Sequence, residues 1–236
     1  MRALSLAALA LLALPAGGVA ASATPRVRIS NESTVTWWAH PASAGPIRAA
    51  PAPRARRVGS LHYLTEDSFL EVYVVLERTF DRSGREWLEI RIPRRPNGST
   101  GWVRASELEA LHRNDEHLVI DEGALTATLY RSGRKIFSAP VGVGKPSTPT
   151  PTGEFWIREK IVALGGGDPI YGPFALGTSD YSTLSEWPGG GVVGIHGTNQ
   201  PWLVPGRPSH GCIRMHNADI TRLYPLIQLG TPITVQ

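Results

Sequence analysis

The chain holds one cysteine, Cys212, in the stretch Ser209-His210-Gly211-Cys212-Ile213-Arg214. A second histidine–glycine pair lies upstream, in Ile195-His196-Gly197-Thr198-Asn199. A thiol attacks a carbonyl carbon as thiolate, and a neighbouring imidazole can take its proton. The chemistry open to this pattern is nucleophilic attack by the sulfur, provided that a ring nitrogen reaches it. His210 is two residues from Cys212. In extended backbone that spacing separates the Cα atoms by about 6.5–7 Å, which strains a direct contact. His196 ends an apolar run, and the segment 197–208 can fold back to lay its ring beside Cys212 at little extra entropic cost. His196 is therefore the expected base. The Gly197 carbonyl can accept from the other ring nitrogen and fix the tautomer. No Asp or Glu falls between His196 and Cys212, which leaves Asp180 and Asp219 as distant carboxylate candidates. Gly211 lets the backbone approach a substrate. Amides near Gly211 and Cys212 can hold an oxyanion, worth about 3–4 kcal/mol per good donor. Arg214 shares a strand face with Cys212 if the chain is extended, and can grip a carboxylate with both prongs.

Such a site needs a scaffold, and composition bounds it. The 236 residues are 42% hydrophobic and 19% charged, enough for one large or two small packed domains. The 25 Gly and 20 Pro favour a turn-rich, mainly β chain. A single Cys excludes an internal disulfide, cysteine-rich zinc modules and cysteine-held iron–sulfur clusters. The net charge of +4 comes without a basic stripe interleaved with aromatics, so no nucleic acid is expected as partner.

The N-terminus reads as an address. Met1-Arg2 precedes an apolar run over 3–15, and Ala21-Ser22-Ala23 supplies a small-residue cleavage site. Residues 1–23 are thus expected to be a signal peptide. The run is short for a membrane span, and an uncleaved anchor is the alternative. The protein is then exported to the cell envelope or beyond. An unpaired thiol in an oxidising space calls for a chemical role.

After a polar lead over 24–34, short strands are expected at 35–38, 57–63, 71–76, 87–92 and 101–103. Five short strands suggest a small barrel. The segment 42–53 reads as a loop or linker, and Arg48, Arg54, Arg56 and Arg57 as a solvated surface or a contact to anionic polymer. Trp37, Trp38, Trp87 and Trp102 either pack that barrel or stack on sugars. Polar residues 111–116 mark a boundary. Strands follow at 117–121, 124–130, 135–143, 155–160 and 192–196, with a turn at Arg131-Ser132-Gly133-Arg134. Asn217 can cap a helix carrying Ile220, Leu223, Tyr224 and Ile227, shortened by Pro225, and 231–235 closes as a strand.

Two resemblances sharpen this outline. The phrase Arg94-Arg95-Pro96-Asn97-Gly98-Ser99-Thr100-Gly101-Trp102-Val103 resembles the last strands of bacterial SH3-like modules. His196-Gly197-Thr198-Asn199 with Ser209-His210-Gly211-Cys212-Ile213-Arg214-Met215 resembles the signature of L,D-transpeptidases of the YkuD type. The match extends back through Gly142-Val143-Gly144-Lys145 and Thr150-Pro151-Thr152-Gly153-Glu154-Phe155, and forward through Gly230-Thr231-Pro232. The implied layout is mainly β: an SH3-like barrel over 35–112, then a β-sandwich catalytic domain over 116–236 with a short C-terminal helix. By resemblance, Cys212 is the nucleophile, His196 the base and Gly197 the orienting carbonyl. Ser209, His210, Gly211 and Arg214 line the site, and Tyr171 and Phe174 form part of the substrate wall. Many members carry Asn where this chain has Arg214, which bears on substrate contacts. The implied reaction joins peptidoglycan stem peptides. Cys212 attacks the third-residue carbonyl, expels the terminal D-residue and passes the acyl group to an amine. Carbapenem-type β-lactams are the implied covalent inhibitors, with no cofactor, no metal and a monomeric chain. The alternatives are a carboxypeptidase using water, a wall-binding protein with an inactive site, and a zinc site on His196, His210, Cys212 and His216. The zinc spacing is no helix-borne pair, and no acidic base stands beside it.

Overall fold

The computed structural model describes residues 25–162, 169–186 and 188–236. The expected signal peptide lies outside the described residues. Among the described residues no helix is long and apolar enough to cross a membrane.

The protein is mainly β. Strands β1 (Val27–Arg28), β2 (Thr36–Ala39), β3 (Pro46–Arg48), β4 (Arg57–Ser60), β5 (Tyr73–Phe80), β6 (Glu86–Arg91), β7 (Thr100–Arg104) and β8 (His112–Asn114) make an antiparallel sheet. Its order is β4-β3-β7-β6-β5-β2-β8, with β1 on β5. Three of these strands were not expected, among them β8, which lies in the polar stretch 111–116 read as a boundary. The 24–34 lead supplies β1, and β3 lies inside the Pro-rich stretch read as a loop. Ile47 explains β3: it is fully buried and packs into the core of this sheet with Tyr73, Val75, Leu88 and Val103.

Strands β9 (Glu116–Asp121), β10 (Thr126–Arg131), β11 (Arg134–Pro140), β12 (Gly142–Gly144), β13 (Gly153–Val162), β14 (Phe174–Tyr181), β15 (Val192–His196), β16 (Gly206–Ser209), β17 (Ile213–Arg214) and β18 (Pro232–Val235) form a second sheet. It is one curled mixed sheet, ordered β11-β10-β9-β18-β13-β14-β15-β17-β12-β16. Alternation sets the inner face. Leu118 and Ile120 of β9 and Ala127 and Leu129 of β10 enter the core, and their neighbours face outward. Ser132 and Gly133 both take positive φ, 48° and 76°, in the two-residue turn from β10 to β11. Helix α1 (Asn217–Leu223) covers the core with Ile220 and Leu223 and stops before Pro225. Its N-cap residue is His216, one earlier than expected, because the Asn217 side chain is turned to the Thr198 amide.

The two sheets are joined by apolar packing and a buried ionic cluster. Val72, Val74 and Leu76 of the first sheet pack on Trp156 of the second, whose indole N–H donates to Val72 O at 2.8 Å. Arg158 of β13 grips Glu71 through Nε (2.8 Å) and Nη2 (2.5 Å). It also donates to Glu66 and to the Tyr181 hydroxyl, and that hydroxyl donates to Glu66. The Arg158 and Glu71 side chains are only 2% and 3% exposed. Removing one partner leaves a buried charge uncompensated, which costs about 3–5 kcal/mol. Arg158→Ala is predicted to lower the unfolding free energy by about that amount in urea titrations. A loss below about 1 kcal/mol would mean that the pair is dispensable to the junction.

Candidate active site

The register of β15 against β17 builds the site. The strands are parallel, with Ile195 level with Ile213 and His196 level with Arg214. Ile195 and Ile213 fill the core, so His196 and Arg214 take the opposite face. Cys212 directly precedes β17 and comes level with Gly194, whose backbone hydrogen-bonds the sulfur. The imidazole leans the same way: His196 Cδ2 lies 3.8 Å from where a Cβ at Gly194 would stand. A Cβ at 194 would stand in ordinary contact with the imidazole. Sequence reasoning missed this residue. Its signal was a lone glycine inside an apolar strand, which marks close backbone approach.

His196 is oriented by backbone. Its Nδ1 lies 2.6 Å from Gly197 O. A carbonyl only accepts, so Nδ1 carries the proton and Nε2 keeps a lone pair. Tyr171 sets its ring edge against the imidazole, with centroids 4.8 Å apart. The histidine is only 3% exposed. Burial holds its pKa down at about 4; the Gly197 hydrogen bond opposes the shift and Arg214 adds to it. Burial likewise pushes the Cys212 thiol up. The Gly194 hydrogen bond and Arg214 pull it down, while Asp180 pushes it further up. The resting pair at neutral pH is thus an uncharged thiol and an uncharged imidazole.

The cysteine loop is held by two hydroxyls. Ser209 Oγ donates to Cys212 O at 2.6 Å and accepts from Gly211 N at 3.2 Å. Thr150 Oγ1 donates to Gly211 O at 2.7 Å and accepts from Gly144 N at 2.9 Å. Gly211 sits at φ +127°, where a side chain strains the backbone. With the Gly211 amide given to Ser209, the Cys212 amide is the loop's candidate oxyanion donor. His210 is exposed, and its Nε2 lies 3.0 Å from Lys145 Nζ.

Around this centre, Arg214 Nη1 donates to Gln200 at 3.2 Å, while its buried Nε has no protein partner. That leaves a donor open for an incoming carboxylate or carbonyl. Asn217 Oδ1 accepts from Thr198 N at 2.8 Å. It would lie 2.3 Å from a Cβ at Gly197, which ties that glycine to its place. Phe174 turns its ring onto Tyr224, with centroids 4.4 Å apart, and its carbonyl accepts from Gly197 N at 3.4 Å. His216 is engaged by Asp219 and Pro201 O. Among the described residues no cluster of three His, Cys, Asp or Glu is arranged to hold a metal ion.

The family described as the L,D-transpeptidase catalytic domain, YkuD, matches residues 115–235. The YkuD protein of Bacillus subtilis (strain 168) is 37% identical over 119 residues, covering 50% of this chain and 65% of the relative. L,D-transpeptidase 1 of Mycobacterium tuberculosis is 31% identical over 122 residues, covering 48% of this chain and 47% of the relative. The match therefore spans about half to two thirds of the length of these relatives. Among solved structures, the catalytic domain of the E. faecium L,D-transpeptidase acylated by ertapenem is 25% identical with a TM-score of 0.40, covering 53% of this chain and 99% of that one.

The depressed His196 pKa has a thermodynamic consequence. A histidine of the unfolded chain titrates near 6.5 and the folded one at about 4. Its contribution to stability is whole above pH 6.5 and is lost as pH falls toward 4. Urea titrations are predicted to show wild type losing about 2–3 kcal/mol more than His196→Gln between those limits. Equal losses in the two proteins would contradict a buried neutral imidazole.

Proposed function

The chain belongs to the L,D-transpeptidase family, and from that premise we propose that it is an exported enzyme which cross-links peptidoglycan stem peptides through Cys212. The observation that carries this reading is the His196 ring, anchored by Nδ1 on Gly197 O, facing the strand position that meets the Cys212 sulfur.

The steps follow from the charges at rest. As the donor stem enters, Nε2 of His196 takes the Sγ proton and Sγ attacks the third-residue carbonyl carbon. The carbonyl oxygen becomes an oxyanion, to which the Cys212 amide donates. The imidazolium returns its proton to the departing nitrogen of the terminal D-residue as the C–N bond breaks, leaving a thioester. An amine from a second stem then enters, gives its proton to His196 and attacks the thioester carbon. Collapse forms the new amide and releases the sulfur, which recovers its proton from His196. Water in place of the amine gives carboxypeptidase turnover at the same site. Arg214, with an unpartnered Nε, is suited to a stem carboxylate, and Tyr171 to one wall of the cleft. The N-terminal sheet takes the part of an SH3-like wall-facing module, and residues 1–23 that of the export signal. A neutral resting pair suits an exported thiol, because a standing thiolate would be open to oxidation.

Carbapenems offer a strained amide to the same sulfur. Intact-mass analysis after mixing is predicted to show one covalent adduct on Cys212 and none on Cys212→Ser. His196→Ala is predicted to slow acylation by about a hundredfold or more. A folded protein that forms no adduct would overturn the assignment. A mild effect of His196→Ala beside a crippling effect of His210→Ala would move the base to His210.

A further inference from the structure

The first sheet reaches the cysteine loop through one turn, between β6 and β7. Asn97 Nδ2 donates to Asp180 Oδ1 at 2.8 Å and to Tyr181 O at 3.1 Å, and its Oδ1 accepts from Tyr181 N at 3.2 Å. The carboxamide thus stands in for a strand partner at the end of β14. Arg95 donates to Ser182 O through Nε (3.1 Å) and Nη2 (2.7 Å) and lies over the Tyr181 ring. Ser182 backs the nucleophile's loop: a Cβ at Gly211 would stand 3.3 Å from Ser182 Cβ. The clamped segment 180–182 therefore underlies Gly211-Cys212.

Asp180 sits within it, only 2% exposed, and its buried Oδ2 has no protein partner. Burial pushes its pKa up to about 8, against the Asn97 hydrogen bond; Glu122 adds to the rise and Arg95 opposes it. Cys212 feels Asp180 on one side and Arg214 on the other. The reaction assigned to Cys212 and His196 leaves this carboxyl without a part.

We propose that Asp180 is a positioning residue through which the N-terminal sheet, by way of Asn97 and Arg95, sets the reactivity of Cys212. This rests on Cys212 being the reacting group. As the neutral acid, Asp180 places no charge beside the sulfur and the thiolate can form. Once ionised, it opposes the thiolate, and the thiol titrates at higher pH. The two groups titrate as a coupled pair, and the wild-type profile belongs to both.

The test is the rate at which iodoacetamide alkylates Cys212 in the full chain, followed by intact mass across the neutral to alkaline range. Asp180→Asn keeps the acceptor for Asn97 and removes the charge. Its profile is expected at lower pH than wild type, with several-fold faster alkylation just above pH 8. Asn97→Ala is expected to displace the wild-type profile and to leave the Asp180→Asn profile where it stands. Superimposable profiles for wild type and Asp180→Asn would overturn the proposal. So would an Asn97→Ala change that is absent from wild type, or equal in both backgrounds, because a general loosening of the fold does not depend on residue 180. Alkylation needs no stem peptide. The expected profiles together with a failed carbapenem reaction would sink the functional reading and leave the coupling in place.

Discussion

The site depends on one strand pairing, β15 against β17 in parallel register. Side chains alternate along both strands, so the burial of Ile195 and Ile213 fixes which face His196 and Arg214 take. A slip of one residue would send the histidine into the core and an isoleucine to the thiol. The apolar core and the face that carries His196 are therefore settled by the same register. Around that pairing, Thr150, Ser209 and Asn217 spend side-chain oxygens on backbone groups of the two connecting loops. A thiol and an imidazole far apart in sequence are held on neighbouring strands with no carboxylate needed to orient the ring.

The electrostatics follow from burial. Taking both groups out of water favours the neutral form of each, and the backbone partners at Gly194 and Gly197 offset that only in part. Arg214 acts oppositely on the two, easing the thiolate and disfavouring the imidazolium. Burial thus favours the protonated sulfur. The junction between the sheets belongs to the same account, because it delivers Asn97 and Arg95 to the segment beneath the cysteine loop.

Much of this was legible in the sequence, and what was not has identifiable causes. Cys212 and His196 could be singled out by residue type, and the Gly197 carbonyl as partner followed from adjacency. Strand β15 was predicted at its observed bounds because Val192-Val193-Gly194-Ile195-His196 is apolar and bounded by glycines. Strand β14 was missed, although it lies between β13 and β15. Its buried residues include Thr178, Ser179 and Asp180, and a run of buried polar side chains reads as loop. Strands β12, β16 and β17 were missed as separate strands because they are two to four residues long, and β12 and β16 are rich in Gly and Pro. The roles of Gln200 and Asn217 are fixed by loop closure, which leaves no local signature, whereas Gly194 stood out only as a lone glycine in an apolar strand. The Phe174 ring packs on Tyr224, a contact that the sequence reading did not anticipate.

The central claim is that His196 rests neutral with its proton on Nδ1, leaving Nε2 to receive the Cys212 proton. Nitrogen-15 NMR of the ring-labelled protein, with His196 identified by the loss of its signals in His196→Gln, reads this directly. The account predicts a protonated Nδ1 and a bare Nε2 at neutral pH, holding until the medium approaches pH 4. A proton found on Nε2, or a ring that titrates near the ordinary value of about 6.5, would contradict it.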